Sequence, residues 1–332
     1  MGNSDIHLVK AAFHSQFKTA MESCGVSADY YFKKVKLPTE VSEPESLLPE
    51  KPFWQLINMV ATQERLPDFG SRVAQVLPWH KVESLGPLIL NRSNLKQLLT
   101  TFCKIASSQS SNARFSLIED GQDYLFRYTA SPFYHNDVQM ELYRITSMMQ
   151  LVQLCTGARW RPQVIYLLMP ETRVVDACPL LSDSSLCFSQ PHSAFTIQGN
   201  LLQLPVHVDK SSKLKSASNN HPKINSQFAN SIRQIISVYS LTKNFSIKDV
   251  ASITDMSVRS LQRRLIHHGL KFNDMLNRAK FAHAQNKLRD SRMLVKEVAE
   301  SLGYSDAAHF TRAFRRWNGL SPTDFRKGLS EQ

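Results

Sequence analysis

The 332-residue sequence predicts two domains of different kinds, a mixed α/β (α+β) first domain and an all-α second domain carrying two helix-turn-helix motifs. Three observations point there. Charge is split unevenly: residues 1–207 carry 18 Lys and Arg against 18 Asp and Glu, whereas residues 208–332 carry 22 against 10. The entire net charge of +12 therefore lies in the second part. Residues 207–226 (HVDKSSKLKSASNNHPKINS) are Ser-, Lys- and Asn-rich with Pro222, the composition of an exposed linker. Beyond that stretch, two segments repeat one pattern 48 residues apart.

In the first part, residues 93–107 (SNLKQLLTTFCKIAS) and 137–156 (DVQMELYRITSMMQLVQLCT) have helical spacing. In the second of these, Leu142, Ile145, Met149 and Val152 form one stripe, and Met148–Met149 reads as core. Residues 113–130 alternate around Asp120–Gly121, a hairpin signal, and PQVIYLLM and SAFTI supply further strands. No GxSxG, HExxH, P-loop or GxGxxG is present, so no catalytic residue, cofactor or metal is expected here. His80, His135 and His192 lack metal-ligand spacing. The five cysteines, Cys24, Cys103, Cys155, Cys178 and Cys187, are widely spaced with no CxxC, which suits reduced and mostly buried thiols. Cys178 and Cys187 leave open a pairing or oxidant-sensing role. Cys187 also stands five residues from His192, so an enzyme of the alkyl-transferase kind is kept as an alternative. The longest apolar run, Val164–Met169, is too short to span a bilayer, and no secretory apolar core opens the chain, so the expected address is the cytoplasm.

The second part opens its repeats at Ile247 (IKDVASITDMSVRSLQRRLIHHG) and Val295 (VKEVAESLGYSDAAHFTRAFRRWNG), with Ala251 and Ala299 in register. A helix-turn-helix needs a small residue on its first helix so that the second can approach, then a tight turn. Gly303 fills the later turn and Asp255 the earlier one, where a left-handed conformation is tolerated less easily. Ser257 caps one second helix, and Ser305 or Asp306 the other. Leu261 and Leu265, and Phe310, Phe314 and Trp317, form the buried stripes. Arg259, Gln262 and Arg263 then project from the opposite side, and Arg and Gln suit guanine and adenine edges in a major groove. Residues 272–289 form a connecting helix with Met275, Leu276, Ala284 and Leu288 inward, ending near Asp290–Ser291. Gly319 ends the later repeat, and Ser321–Pro322–Thr323–Asp324 starts a last helix. One isolated arginine-rich helix would read as a solvated surface. Two matching units in a strongly basic segment read as a binder of double-stranded DNA.

With these residues in view, the last hundred or so residues resemble the DNA-binding domain of AraC/XylS-type bacterial transcription regulators. The resemblance rests on the paired units, their spacing and above all GYSDAAHFTRAFRRWNGLSPTDFR, residues 303–326. It implies seven helices, with two recognition helices entering successive major grooves about 34 Å apart. By position it implies base reading by Arg259, Gln262 and Arg263 in the first unit, and by Ala307, Ala308, Thr311 and Arg312 in the second. Phosphate contacts fall to Ser257, Arg264, Ser305, Arg315 and Arg316. Two alanines on the second reading face imply that the first unit specifies sequence while the second grips. Lys280 stands where the family commonly has Arg. Residues 158–206 are similar to the closing part of the effector domain in the ornithine-regulator-like subset.

The expected organisation is an effector-binding or dimerisation domain at 1–206, a linker at 207–226 and the double helix-turn-helix domain at 227–332. The expected function is a transcription regulator whose bound small-molecule effector sets DNA engagement and RNA polymerase recruitment, as a possible homodimer on the bacterial nucleoid. A ligand-independent regulator with a purely structural first domain is the alternative. Effector-binding residues are not assigned.

Overall fold

In the computed structural model, the described residues are 6–41, 43–82, 85–129, 137–207, 223–225, 227–242, 245–290 and 292–330. Most of the 207–226 stretch, His135 and Ser291 lie outside them. The described residues form two compact units, one of His7–Ser46 with Glu50–Ser226, the other of Gln227–Gln332 with Met1–Ile6 and Leu47–Pro49.

The larger unit is mixed α/β. Its helices are α1 (Ala12–Ser23), α2 (Ala28–Val35), α3 (Lys51–Gln63), α4 (Phe69–Val76), α5 (Gly86–Leu90), α6 (Leu95–Ile105) and α7 (Val138–Thr156). Strands β1 (Phe115–Asp120), β2 (Asp123–Tyr128), β3 (Val164–Tyr166), β4 (Ser185–Cys187) and β5 (Ser193–Gln198) make one sheet in the order β1-β2-β5-β3-β4. Only β3 and β4 pair in parallel. The expected hairpin is β1–β2: Asp120 pairs with Asp123 across a two-residue turn in which Gly121 takes φ +62°, a conformation that favours glycine. The expected strands in 162–169 and 193–197 are β3 and β5, whereas β4 carries too little alternation to be seen in the sequence.

Helix α7 starts where Asp137 accepts the Met140 N–H at 3.0 Å and stops at Gly157 with φ +90°. The single apolar stripe expected for it is too narrow a description. Gln139, Glu141, Arg144 and Thr146 are buried as well, because α7 runs through the middle of its unit with α4 along one side and β5 on another. Gln139 is met on both sides: its Nε2 donates to the Pro67 carbonyl at 2.8 Å and its Oε1 accepts the Gly70 N–H at 2.9 Å. Gly70 is needed there, since a Cβ would stand 1.9 Å from the Gln139 carbonyl oxygen. Met148 and Met149 are fully buried core. Cys155 and Cys178 are buried and the other three cysteines half-buried; all five are free thiols, and burial pushes Cys178 up to about 11.

The smaller unit is all-α, with α8 (Phe228–Tyr239), α9 (Ile247–Ile253), α10 (Val258–His267), α11 (Phe272–Leu288), α12 (Val295–Ser301), α13 (Ala307–Asn318) and α14 (Pro322–Ser330). These are the seven helices the family resemblance implies. Helix α8 was not anticipated from sequence, although Phe228, Ile232, Ile235, Ile236 and Tyr239 form its buried face. On α11, Met275, Ala284 and Leu288 are buried as expected and Leu276 is half-buried. Ala284, Leu288, Val298, Ala299, Leu302, Phe310 and Phe314 make one core cluster around the later repeat. Burying each Phe there contributes about 1.5–3 kcal/mol of transfer free energy.

Candidate nucleic-acid interface

Each repeat folds as expected, a short helix, a left-handed turn and a capped second helix. Ser246 and Asp249 form a capping box at α9, the Ser246 N–H donating to Asp249 Oδ2 at 3.0 Å. At the start of α12, the Leu294 N–H donates to Glu297 Oε2 at 2.7 Å. Small Ala251 and Ala299 are both buried where the second helices approach. The turns then pass through Asp255 at φ +57° and Gly303 at φ +77°.

After the turns the two repeats fall out of the 48-residue register. Helix α10 is capped by Ser257, whose Oγ accepts the Ser260 N–H at 3.1 Å. Helix α13 is capped by Asp306, whose Oδ1 accepts the His309 N–H at 2.7 Å. That N–H also holds the Asp306 carboxyl below the usual carboxylate range. The caps are thus 49 residues apart, because the second turn has one additional residue. With that shift, Arg259, Gln262 and Arg263 correspond to Ala308, Thr311 and Arg312. Val258 corresponds to Ala307.

Burial follows the shifted register. Arg259, Gln262 and Arg263 are exposed on α10, opposite buried Leu261 and Leu265. Ala308 and Arg312 are exposed on α13, and Thr311 is half-buried with its Oγ1 donating to the Ala307 carbonyl at 2.8 Å. Ala307 does not join them: it is half-buried against the core cluster, as the first helical residue after the cap, on the side that carries Phe310 and Phe314. The outward side of α13 therefore begins with one alanine, Ala308, rather than two. Among the phosphate candidates, Arg315 and Arg316 are exposed in the last turns of α13. Ser305 is exposed just before the cap, its Oγ donating to Asp306 Oδ2 at 3.3 Å. Ser257 spends one acceptor on its cap, and its Oγ–H donates to Ser260 Oγ at 2.9 Å. Arg264 is half-buried, its guanidinium carbon 4.1 Å over the Phe228 ring, a cation–π contact that fixes it against α8.

Three residues on these outward sides were missed. Ile266 is 74% exposed on α10 at the position matching Arg315, and His267 and His309 are exposed near the same sides. Aligning the cap residues, rather than Ala251 with Ala299, would have shown them. Lys280, on α11, lies 4.9 Å over the Tyr304 ring, and burial pulls its ammonium down. Among the described residues, no three His, Cys, Asp or Glu side chains are placed to hold a metal ion, and no helix is long and apolar enough to cross a membrane.

Two capped helices that expose arginine and glutamine, carried by helix-turn-helix units in the strongly basic second part of the chain, define a DNA-binding regulator. A helix-turn-helix domain model matches residues 250–328, and the model of the arabinose-binding N-terminal domain of AraC transcription regulators matches residues 25–206. The second match spans more than half of the chain, and the chain belongs to the AraC family of transcription regulators. That membership sets it among regulators and not among enzymes, so the alkyl-transferase alternative falls. The transcriptional regulator VirS of Mycobacterium tuberculosis is 21% identical over 96% of both chains. The transcriptional activator RhaS of Salmonella schwarzengrund is 34% identical over 38% of this chain and 44% of its own. The crystal structure of the transcriptional regulator CdpR from Pseudomonas aeruginosa aligns over 95% of this chain and 98% of its own, at 18% identity and a TM-score of 0.42.

Proposed function

We propose that residues 1–206 form an effector-binding and dimerisation domain, joined by a linker at 207–226 to the double helix-turn-helix domain at 227–332. The effector's binding shifts the protein between states that differ in DNA engagement, which requires unequal affinity of the effector for those states. The DNA-bound protein then recruits RNA polymerase, as a homodimer in the bacterial cytoplasm. Arg259, Gln262 and Arg263 read base edges, with Ala308, Thr311 and Arg312 as their counterparts in the second unit. Ala307 is left out of that set, since it packs inward. Arg315 and Arg316 hold phosphates, with the Ser257 and Ser305 hydroxyls beside the helix N-termini, while Arg264 contributes from its stacked position on Phe228.

The observation that carries this reading is the matched exposure of the two second helices once the caps are aligned. With the caps aligned, Arg259 matches Ala308 and Arg263 matches Arg312, which supports a reading in which hydrogen-bond readout is concentrated in the first unit. Selection of a preferred duplex from a random pool, followed by fluorescence anisotropy across a salt series, tests it. A sequence-specific complex whose affinity falls steeply with salt is expected. Equal affinity for selected and scrambled duplexes would overturn the reading.

A further inference from the structure

The larger unit holds a half-open cavity of about 90 Å³, space on the order of half a dozen waters. Its walls are aromatic, with Phe13, Phe17, Phe53, Trp79, Phe115 and Tyr128 among them. Two charged side chains line it, Glu50 at the start of α3 and Arg144 on α7. Arg144 is already engaged: Nη1 donates to Glu141 Oε2 at 3.0 Å with both side chains buried, and its guanidinium carbon lies 3.9 Å over Tyr128. Glu141 is satisfied, its other oxygen accepting the Leu168 N–H at 3.0 Å and the Ser193 hydroxyl at 2.8 Å. Glu50 is met only in part. It is 9% exposed with Arg144, Trp54, Ser110 and Asn112 near it, and its Oε2 has no hydrogen-bond donor within ordinary geometry. One buried guanidinium thus stands near two buried carboxyl groups, and one oxygen of Glu50 is left without a donor in the wall of an aromatic cavity.

We propose that this cavity takes a small aryl-alkyl amine as effector, its ammonium set against the Glu50 carboxylate and its apolar body held between the aromatic rings. The amine donates to the open Glu50 oxygen and holds that carboxyl ionised, and the rings around it add cation–π attraction. An anionic ligand would meet Glu50 with Arg144 already paired to Glu141, and a neutral one would offer no charge to hold the carboxylate. Burial pushes the Glu50 carboxyl up to about 7, and Arg144, with the polar hydrogens of Trp54, Ser110 and Asn112, offsets only part of that, in keeping with a site completed by a cation. The proposal rests on the reading of the first domain as the effector receiver.

Isothermal titration of the full chain with 2-phenylethylamine, 2-phenylethanol and phenylacetate decides it, alongside duplex binding by the same preparation. The amine is expected to bind at least tenfold tighter than the other two. Glu50→Gln is expected to lower amine affinity at least tenfold and leave the alcohol unchanged, with an unaltered circular dichroism spectrum showing that the variant is folded. Equal or tighter binding of the alcohol or the acid overturns the amine assignment and leaves the effector reading standing. Amine binding that survives Glu50→Gln overturns the role of Glu50 and with it the proposal. Absence of binding by all three, with duplex binding intact, overturns the proposal and favours a first domain that is structural only.

Discussion

Arg263 and Arg316 lie on exposed sides of their helices, and neither has an ion-pair partner among the described contacts. The same guanidinium chemistry is expected to act differently at the two places. Arg263→Ala, at a proposed base-reading position, should weaken the preferred duplex by about 1–3 kcal/mol while scrambled duplexes change little. Arg316→Ala should weaken all duplexes alike and reduce the slope of log K against log salt by about 0.9. Anisotropy titrations on both duplexes separate the two, and uniform losses for both variants would refute the division of roles. Glu50 makes a second residue-scale prediction, faced by Arg144 and Tyr143 from α7 and Tyr128 from β2. Its folded value, about 7, is above the ordinary 4.5, so the native state holds this proton more tightly than the unfolded chain does. The stability this provides is complete below about pH 4.5 and is lost as pH rises through 7. Glu50→Gln should therefore be more stable than wild type at pH 8, by up to about 3 kcal/mol, and gain nothing at pH 4. Urea unfolding at the two pH values checks the sign.

At the scale of elements, the reading helices depend on their caps more than on intrinsic propensity. Helix α13 begins with Ala-Ala-His after Asp306, and the Asp306–His309 bond is the side-chain bond that sets its start. Asp306→Ala should cost about 1 kcal/mol in urea unfolding, and duplex affinity should fall as the first turn of α13 frays. Restoring the cap with Asp306→Ser should recover most of both. Much of this level was legible in the sequence: the turns at Asp255 and Gly303, the caps, the aromatic stripe and the termination at Gly319 are local signals. Helix α7 was legible only in part. Its ends follow from Asp137 and Gly157, but the burial of Gln139, Glu141 and Arg144 depends on partners such as Pro67, Leu168 and Ser193, far away in the chain.

For the molecule as a whole, two reading units in one chain impose a spacing on the DNA. Two recognition helices that enter successive major grooves on one face of the duplex require half-contacts about one helical turn apart. Inserting five base pairs between the half-contacts of the selected site should place one of them on the opposite face, reducing affinity toward that of a single unit. Inserting ten should restore the facing but not the reach. A mobility-shift comparison of the three duplexes checks this, and equal affinity for all three would mean that the units do not engage together. The uneven charge works at the same scale: the net +12 of residues 208–332, linker included, draws that part toward the duplex, leaving residues 1–207 with no net pull of their own.

Composition, charge order, repeat, turns and caps are properties of neighbouring residues, so the sequence alone was enough for the two kinds of domain, the paired helix-turn-helix units and the arginine- and glutamine-bearing side of α10. The shift from 48 to 49 residues, the inward packing of Ala307 and the stacking of Arg264 on Phe228 came from the folded chain. So did the cavity with its buried carboxyl, since it brings together Phe13, Glu50, Trp79, Phe115 and Arg144, which no periodicity links. The physical reason is one of range. Capping and periodicity act over three or four residues, whereas burial and charge balance are set by whatever the fold packs alongside.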